Sequence, residues 1–461
     1  MSYQSNVDVQ LIAQALAVKP GLRRIVVGLS GGLDSTALLH LTHQWWLQQP
    51  ADHRPALHAI HINHQLQPQA EQWQQQCAEM CARWQIECTV RKVLVNTEAG
   101  SLETVARQAR YAAFREFLQS GDGLLLAHHR DDQVETMLQR LARGSGPLGL
   151  GAMTSCSEQH GFTLLRPLLA VDRVQLEQFA HDHDLAWVDD PSNRDPAMER
   201  NFIRLRLLPQ WRNARPQLNQ ALARSARLAR ESALLLDELA ALDLGQPRAD
   251  GGLQTSALQG LGLARQKNLL RYWLRRQGVQ PPSETITLRI LNEVLTAAPD
   301  GQPLVAWGHN SVRRYQSTLY ALNRPLPEPG GLAIPVNQFE RPHALPLGRL
   351  LVNASAPAFS RRALLEGSGL EPLTVRFRRG GERLQLPGRP MKPLKDLLQE
   401  EGVPPWLRSL WPILWRGDQI AGLPGLWVCE GFLPQSGDDQ LGLLWDPGEM
   451  PLKIESAPLI R

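Results

Sequence analysis

The sequence predicts an α/β fold in which an N-terminal, doubly wound parallel sheet is followed by a mainly helical middle domain and a small α+β C-terminal domain. Three observations lead to this prediction. Strand and helix patterns alternate over the first 190 residues, which is typical of a parallel sheet with helices on both faces. A Ser/Gly-rich turn joins the first strand to its helix at residues 30–35. The later part of the chain contains a long Ala/Leu/Arg-rich helical stretch and then short strand-like runs.

The N-terminal elements follow from the hydrophobic pattern, because short apolar runs predict buried strands and longer amphipathic runs predict helices. The predicted strands are RIVVG at residues 24–28, LHAIHI at 57–62, CTVRKVLV at 88–95 and GLLLA at 123–127. The predicted helices cover residues 35–47, 70–84, 101–118 (with Ser101 as the N-cap) and 131–143. Ligands of such sheets bind beyond the carboxyl ends of the strands. We therefore expect the turn at residues 30–35 and His128 to lie close together.

The rest of the chain divides at breaks in composition. Residues 216–244 and 261–276 predict helices, and residues 312–322 predict a β-like segment. The stretch NRPLPEPGG at 323–331 has the composition of a linker, and a further helix is predicted near 393–401. The expected domains are 1–215, which contains the parallel sheet; 216–330, a helical linker and middle domain; and 345–461, the C-terminal domain.

Composition and charge limit the class of protein. Hydrophobic residues make up 43% of the 461 residues and charged residues 20%, as in globular proteins. The net charge is +4; residues 1–215 hold 21 basic and 22 acidic side chains, and the remainder holds 28 and 23. The later domains are therefore the candidates for contact with a polyanion. No apolar run approaches the ~18 residues of a membrane span, so we expect a cytoplasmic protein with no membrane partner.

Five cysteines without a C-x-x-C pair argue against a disulfide framework, a zinc ribbon and an iron–sulfur cluster.

The strongest local signal is the glycine loop, which comprises Ser30, Gly31, Gly32, Leu33, Asp34 and Ser35. Its glycines let the backbone approach phosphate oxygens, and the helix that follows adds its positive end. Asp34 would be repelled by bare phosphate, which makes it a candidate ligand of Mg²⁺. The loop lacks the Lys of the G-x-x-x-x-G-K-[ST] phosphate loop. The alternative is a tight turn between a strand and a helix with an Asp/Ser cap.

The strand, the S-G-G-L-D-S loop and the helix together resemble the PP-loop ATP pyrophosphatase family. The resemblance implies that ATP is split into AMP and pyrophosphate by way of an adenylated intermediate. Members of that family act on tRNA bases and on several small molecules, so the loop does not by itself select a substrate.

Two stretches carry charged groups that could meet a substrate. The stretch AHHRDDQVET at 127–136 follows the fourth strand and contains His128, Asp131, Asp132 and Glu135. Its three carboxylates fall within about one helical turn, an arrangement that is costly unless a cation compensates. The alternative is an acidic helix N-terminus. On the preceding helix, Arg107 and Arg110 could present guanidinium groups to a phosphate or carboxylate, or could form a solvated face.

A third stretch, DDPSNRDPAMERNFIRLRLLP at 189–209, contains a polar turn with Ser192 and Asn193 and then an Arg-studded helix. Arg200, Asn201 and Arg204 could contact a phosphate backbone. The alternative is a capped amphipathic helix.

These stretches, together with RGSGPLGLG at 143–151 and the basic segment at 378–406, resemble the tRNA(Ile)-lysidine synthetase family over essentially the whole chain. The resemblance implies that ATP, Mg²⁺ and L-lysine are used to modify a CAU-anticodon tRNA(Ile). Lysine would be joined to carbon 2 of the wobble cytidine through an adenylated cytidine, giving lysidine, AMP and pyrophosphate.

The resemblance implies that residues 1–215 form the ATP-binding catalytic domain and that residues 216–330 and 345–461 contain the middle and C-terminal tRNA-binding domains. It also suggests roles for the candidate residues. Those expected to bind lysine or act in catalysis are Arg107, Arg110, His128, Asp131, Asp132 and Glu135. Those expected to bind tRNA are Arg200, Asn201, Arg204, Arg378, Arg379, Lys392 and Lys395. Two other functions stay open: a tRNA thiolase of the 2-thiocytidine type, and a non-catalytic RNA-binding protein that holds ATP. A homodimer is a further expectation.

Overall fold

A computed structural model describes residues 7–95, 102–159, 161–191, 195–196, 198–298, 301–330, 332–333, 341–365 and 373–448. The chain divides into two compact units, Met1–Leu235 and Leu236–Arg461. The predicted cap Ser101 and the predicted turn residues Ser192 and Asn193 lie outside the described residues. None of the described helices is long and apolar enough to cross a membrane.

The first unit is built on a six-stranded sheet. Its strands are β1 (Arg24–Gly28), β2 (Ala56–Asn63), β3 (Glu87–Lys92), β4 (Asp122–Leu125), β5 (Cys156–Gln159) and β6 (Phe162–Leu165). Their order across the sheet is β3-β2-β1-β4-β6-β5. All neighbours are parallel except β5, which forms an antiparallel edge hairpin with β6. The parallel sheet confirms the predicted fold class, and the β5–β6 hairpin is an addition that the alternating pattern did not predict.

Helices cover both faces of this sheet. They are α1 (Gln10–Ala17), α2 (Leu33–Leu47), α3 (Ala70–Arg83), α4 (Leu102–Phe117), α5 (Arg130–Ala142), α6 (Pro147–Leu150), α7 (Arg173–Asp182), α8 (Glu199–Phe202), α9 (Leu208–Ala214) and the start of α10 (Leu218–Leu244). Alternate residues of β1 enter different cores, as period-two geometry requires. Ile25 and Val27 pack in a core with residues of α1, α2, α3 and α7. Val26 packs in a second core with Phe114 of α4.

Between α8 and α9 the backbone forms a π-helical turn over Ile203–Leu207. Pro209, in the first turn of α9, explains this turn. Proline has no N–H to donate to the carbonyl of Leu205, and its ring would clash with that carbonyl in a regular α-helix. The wider turn relieves both problems. The single Arg-studded helix expected here is therefore two short helices joined by a bulge.

The second unit combines short helices with several antiparallel sheets. Its helices after α10 are α11 (Thr255–Gln259), α12 (Leu263–Arg276), α13 (Glu284–Arg289), α14 (Arg361–Leu365), α15 (Leu394–Glu400) and α16 (Pro405–Arg408). Its strands are β7 (Leu253–Gln254), β8 (Leu304–Trp307), β9 (Asn310–Tyr315), β10 (Thr318–Leu322), β11 (Leu332–Ala333), β12 (His343–Ala344), β13 (Arg349–Val352), β14 (Ala358–Ser360), β15 (Leu373–Arg376), β16 (Arg383–Leu384), β17 (Lys392–Pro393), β18 (Ile413–Arg416), β19 (Gln419–Leu423), β20 (Trp427–Val428) and β21 (Gln440–Asp446).

The larger sheets of the second unit pack around two hydrophobic cores. The sheet β7-β10-β9-β8 packs with α12 and α13 around Trp273 and Leu270. The sheets β11-β15-β18-β19-β20 and β12-β13-β21-β14 share a second core that contains Phe359, Trp411 and Trp445. A π-helical turn, Ile290–Val294, follows α13. The C-terminal part is thus α+β, as the sequence predicts.

Candidate active site

The glycine loop leaves the carboxyl end of β1, directly beside the carboxyl end of β4. The two strands are parallel neighbours, paired from Arg24 with Asp122 to Val27 with Leu125. The segment after β4 leads into α5, so the glycine loop and the acidic start of α5 meet at one sheet edge. Their convergence, expected from the strand order, is visible as a distance of 3.6 Å between Asp34 Oδ2 and His129 Nε2.

Hydrogen bonds within the glycine loop hold its shape. Ser35 Oγ accepts from the Ser30 N–H at 3.1 Å and donates to the Gly32 carbonyl at 3.0 Å. Gly31 has φ +85°, the left-handed region that glycine adopts without strain. A Cβ at this position would lie 2.9 Å from Cys77 Sγ. The loop therefore needs glycine here for two independent reasons, backbone conformation and the closeness of α3.

Asp34 lies in the first turn of α2 and is the loop's acidic group. Its Oδ1 is buried and accepts no hydrogen bond from the described residues, while Arg173 Nε lies 4.0 Å away. Among the described residues no group of three or more His, Cys, Asp or Glu could hold a metal ion. A Mg²⁺ ion that is bound mainly by nucleotide phosphates needs only one or two carboxylates from the protein. Asp34 meets this lower requirement, because its Oδ1 accepts no hydrogen bond from the described residues.

His129 is a buried imidazole among three carboxylates. It is 1% exposed, and Asp34, Asp131 and Asp132 all lie within 3.7 Å of its ring nitrogens. Burial alone would lower the pKa of His129, but the negative charges of Asp132 and Asp34 outweigh burial and raise it. The imidazolium form is thus favoured. A protonated His129 links the glycine loop to α5 electrostatically.

Asp132 and Glu135 are held by two arginines from the segment around α8. Arg200 donates from Nη2 to Asp132 Oδ1 at 2.6 Å and from Nε to Glu135 Oε2 at 2.8 Å. Arg204 donates from Nε and Nη2 to the two oxygens of Glu135 at 2.6 and 2.9 Å. Burial alone would raise the pKa of Asp132, but the charges of His129 and Arg200 lower it to about 2. Asp132 is therefore ionised, and arginine is the compensating cation of the cluster.

Asp131 joins three other segments. Its Oδ2 accepts from the backbone N–H of Arg173 at 3.1 Å, and its Oδ1 accepts from Asn219 Nδ2 at 2.9 Å and from Arg212 Nη2. The pKa of Asp131 is lowered: burial opposes the charged form, but these hydrogen bonds and His129 favour it. Asp131 thus connects α5 to α7, α9 and α10, and its bonds stabilise the packing of these helices.

His128 and the two arginines of α4 complete the edge of the site. Arg166 donates from Nε to His128 Nδ1 at 3.1 Å. Burial lowers the pKa of His128 to about 3, so its ring is neutral. Arg107 and Arg110 have exposed side chains, and Arg107 lies over the Tyr111 ring at 4.9 Å from its centre. Burial by the surrounding site and the charge of Arg107 lower the pKa of Arg110, so Arg110 lies at the rim of the site, where an anionic group can reach it.

The remaining predicted residues lie in different surroundings. Asn201 is 6% exposed, and its Nδ2 donates to the Asp195 carbonyl at 2.8 Å. In the second unit Arg379 and Lys395 are exposed. Lys392 pairs with Glu400 at 2.9 Å, and Arg378 lies 3.9 Å from Glu382. Arg379 and Lys395 are therefore the more accessible cations of this basic segment.

Several residues of the site were not selected from the sequence. They are His129, Arg166, Arg173 and Arg212. For His129 a signal existed, because it adjoins His128 at the end of a predicted strand. The arginines carry no local signal for the site, since the histidine and aspartates that they meet there are 38 to 139 positions away in the chain.

Comparison with known proteins gives three family matches. Residues 5–211 match the PP-loop domain, residues 253–320 the TilS substrate binding domain, and residues 373–445 the TilS substrate C-terminal domain. The chain is 38% identical over 425 residues to the tRNA(Ile)-lysidine synthase of Escherichia coli O157:H7, covering 92% of this chain and 96% of that protein. It is 41% identical over 409 residues to the protein of the same name from Salmonella dublin, covering 88% and 93%.

A solved structure described as "Crystal structure of TILS C-terminal domain" is 28% identical to this chain, with a TM-score of 0.20, and covers 25% of this chain and 95% of that one. The family matches cover segments of both compact units.

Proposed function

The chain belongs to the tRNA(Ile)-lysidine synthase family, and from this membership we propose that it joins L-lysine to carbon 2 of the wobble cytidine of a CAU-anticodon tRNA(Ile). The observation that carries the proposal is the meeting of the glycine loop with the charged start of α5, where Asp34 and His129 lie 3.6 Å apart. An ATP phosphate site and a site for a charged amino acid are thereby adjacent. A two-step reaction needs this adjacency.

The first step is adenylation of the cytidine. The cytosine carbonyl oxygen attacks the α-phosphorus of ATP, an O–P bond forms, and pyrophosphate leaves. The glycine loop supplies backbone and hydroxyl donors to the departing charge, which is the kind of stabilisation that lowers such barriers most. The positive N-terminus of α2 adds to it. The adenylated base then becomes electrophilic at carbon 2.

Mg²⁺ is part of the proposal, with Asp34 as its ligand. The unpartnered Oδ1 of Asp34 supports this assignment, because a buried carboxylate oxygen without a partner is costly. When bound, the ion would neutralise pyrophosphate charge. His129 Nε2 and Arg173 Nε lie 3.6 and 4.0 Å from the two oxygens of Asp34 and help to orient its side chain.

In the second step the lysine side-chain nitrogen bonds to carbon 2, the bond from carbon 2 to oxygen breaks, and AMP leaves with that oxygen. Arg107 and Arg110 are proposed to receive the lysine α-carboxylate, since both are exposed. Asp132 and Glu135 are proposed to attract the amino groups by their charge, and lysine would have to compete with the bonds of both carboxylates to Arg200 and Arg204. A carboxylate of this pair or a water takes the released proton. Asp131 bonds to residues of α7 and α10 and is proposed to position α5.

tRNA is proposed to contact the basic segment of the second unit through Arg378, Arg379, Lys392 and Lys395. The match of residues 373–445 to a TilS substrate C-terminal domain supports this assignment. The predicted contacts of Arg200, Asn201 and Arg204 remain predictions, and tRNA would have to compete with the bonds described above.

A tRNA substrate also favours a cytoplasmic location. Sedimentation of the purified chain tests the expected homodimer.

The ligase is favoured over the two other functions, because the relatives are named synthases and the two substrate domains are matched. Pyrophosphate release should be measured with ATP, with and without lysine and a CAU-anticodon tRNA(Ile), and with labelled lysine. We expect release that requires the tRNA, with label incorporated into it. Pyrophosphate release without incorporation of labelled lysine would mean that the nucleophile is not lysine, and a sulfur nucleophile would be the next candidate. ATP binding without release under any condition would leave only the RNA-binding function.

An Asp34→Asn variant tests the assignment of Asp34. It keeps the size of the side chain and removes the charge, so we expect ATP to bind and pyrophosphate release to be strongly reduced. Asp52→Asn is a matched control, because Asp52 lies in a surface turn remote in sequence from the loop.

A further inference from the structure

Arg166 is a buried arginine beside the site, to which neither the proposed reaction nor the resemblance assigns a role. It follows β6 and is 6% exposed. Its Nε donates to His128 Nδ1 at 3.1 Å, and its Nη1 donates to the carbonyl of Thr154 at 2.8 Å. Burying a guanidinium group is costly, so a group bonded in this way is held firmly.

The partner of Arg166 determines which nitrogen of His128 carries hydrogen. A guanidinium group has only donors and does not lose its proton in proteins. Nδ1 of His128 must therefore be the acceptor, without hydrogen. In a neutral imidazole the hydrogen then lies on Nε2. No described residue accepts a hydrogen bond from His128 Nε2, so this donor is available to a ligand.

The surroundings oppose a second proton on the ring. Burial disfavours the charged ring, and Arg166, Arg200 and Arg107 act on His128 with positive charge against the negative charge of Asp132. The adjacent His129 has the opposite environment, with three carboxylates around it.

We propose that Arg166 is a positioning residue that fixes His128 as a neutral Nε2–H donor to an oxygen of the bound substrates, and that His128 is therefore not the base that deprotonates lysine. The inference rests on the proposed function for the identity of those substrates. Negative charge develops on the phosphoryl and cytosine oxygens during adenylation, and a fixed neutral donor stabilises such charge without reorganisation. His128 keeps its proton throughout, and the lysine proton goes to a carboxylate or water.

The tautomer can be observed without any activity assay. Full-length enzyme labelled with ¹⁵N-histidine should show one hydrogen-free nitrogen and one N–H nitrogen for His128, assigned by their loss in His128→Gln. We expect this pattern to stay constant between about pH 6 and pH 8, because His128 does not titrate there. A hydrogen on Nδ1, or titration of His128 within this range, would overturn the proposal.

Variants of Arg166 then connect the tautomer to the reaction. Arg166→Met should allow the two tautomers to interchange and should lower kcat by about ten- to a hundredfold, as loss of an orienting partner does. The KM values for ATP and lysine should change by less than about threefold, because the lost interaction belongs to the transition state. Arg166→Lys retains a cationic donor and should restore part of kcat. An unchanged His128 pattern in Arg166→Met would contradict the proposal.

Arg140→Met is the matched control, because Arg140 also clasps carbonyls of the same segment, those of Gly149 and Ala152. It should leave the His128 signals as in the wild type. If Arg166→Met does not fold, Arg166→Lys is measured instead. The expected result is a hydrogen-free Nδ1 on His128 and a kcat below that of the wild type; a hydrogen on Nδ1 together with an unchanged kcat would contradict the proposal. The proposed function can fail separately. If the wild-type enzyme shows the expected tautomer but never ligates lysine, the proposed function is overturned, whereas the positioning of His128 by Arg166 still holds.

Discussion

Charged side chains at the start of α5 are tolerated because each has a partner from a distant segment. Glu135 is 1% exposed and accepts three hydrogen bonds from Arg200 and Arg204. Removing one member of such a set leaves the others buried without compensation, which costs more than the set contributes as a whole. The same bonds hold the carboxylates in one orientation, and the proposed lysine site would depend on such order.

The first residue-scale prediction concerns the stability of this cluster. We expect Glu135→Gln to lower the free energy of unfolding by about 2–4 kcal/mol, since two guanidinium groups lose their main acceptor. Glu199→Gln is the control, because Glu199 pairs with Arg143 where both side chains are about half exposed or more; it should cost less than about 1 kcal/mol. Urea unfolding of both variants measures the difference. Equal losses would show that the buried pairs contribute no more than a surface pair.

The second prediction concerns pH and Asp132, whose pKa is lowered from 3.8 to about 2. A depressed carboxyl pKa stabilises the fold above the unfolded pKa, and this stabilisation is lost as pH falls through the folded pKa. The stability difference between wild type and Asp132→Asn should therefore be constant from pH 7 to about pH 5 and should shrink below about pH 4. The pH-dependent part amounts to about 2 kcal/mol. A difference that grows on acidification would contradict the lowered pKa.

At the scale of the element, the glycine loop depends on the helix beneath it. Gly31 combines a left-handed φ of +85° with a close approach to Cys77 of α3. Cys77 is fully buried, and burial raises the pKa of its thiol to about 12, so it acts as a small apolar side chain. The position of α3 against the sheet therefore contributes to the shape of the glycine loop.

Two glycine substitutions separate strain from contact. Gly31→Ala should reduce stability by more than the about 1–2 kcal/mol of a left-handed alanine, because its Cβ also meets Cys77 Sγ at 2.9 Å. Gly21→Ala is the control, since Gly21 has φ +83° with nothing within 4 Å of a Cβ. Urea unfolding compares the two, and ATP titration calorimetry should show weaker binding only for Gly31→Ala. Adding Cys77→Ala to Gly31→Ala should restore the part of the stability loss that exceeds the loss in Gly21→Ala. If stability is not restored, the contact between the Cβ at position 31 and Cys77 Sγ is not the cause.

At the scale of the whole molecule, the chemistry and the basic segment belong to different compact units. The acidic cluster with its arginines lies in the first unit, and Arg379 and Lys395 lie exposed in the second. This division agrees with the charge balance of the sequence, which is positive only in the later part. Because phosphate contacts contribute to affinity without reading sequence, the second unit should affect tRNA binding more than the chemical steps.

The corresponding prediction uses charge reversal. Arg379→Glu with Lys395→Glu should weaken tRNA binding and reduce the slope of log K against log salt by about one unit for each lost contact. ATP binding should be unaffected. The control is Lys19→Glu with Arg83→Glu, which changes the net charge equally at exposed sites of the first unit. Filter binding over a salt series measures both, and equal slopes for the two double variants would exclude a specific role of the basic segment.

The sequence by itself determined the alternation of strands and helices, the glycine loop and the acidic stretch after β4. These features are local: they depend on residue periodicity, turn chemistry and order along the chain. Parallel pairing of β1 with β4 then brings the loop and the stretch to one edge.

Only the tertiary structure decided what those residues touch. Arg200 and Arg204 reach Glu135 across 65 and 69 positions, and Arg166 reaches His128 across 38. Likewise, His128 and His129 are adjacent in the chain, but the pKa of His128 is lowered by burial and nearby arginines, whereas that of His129 is raised by carboxylates. No local pattern encodes such pairs, because a buried charge takes its state from the groups that folding places within a few ångströms of it.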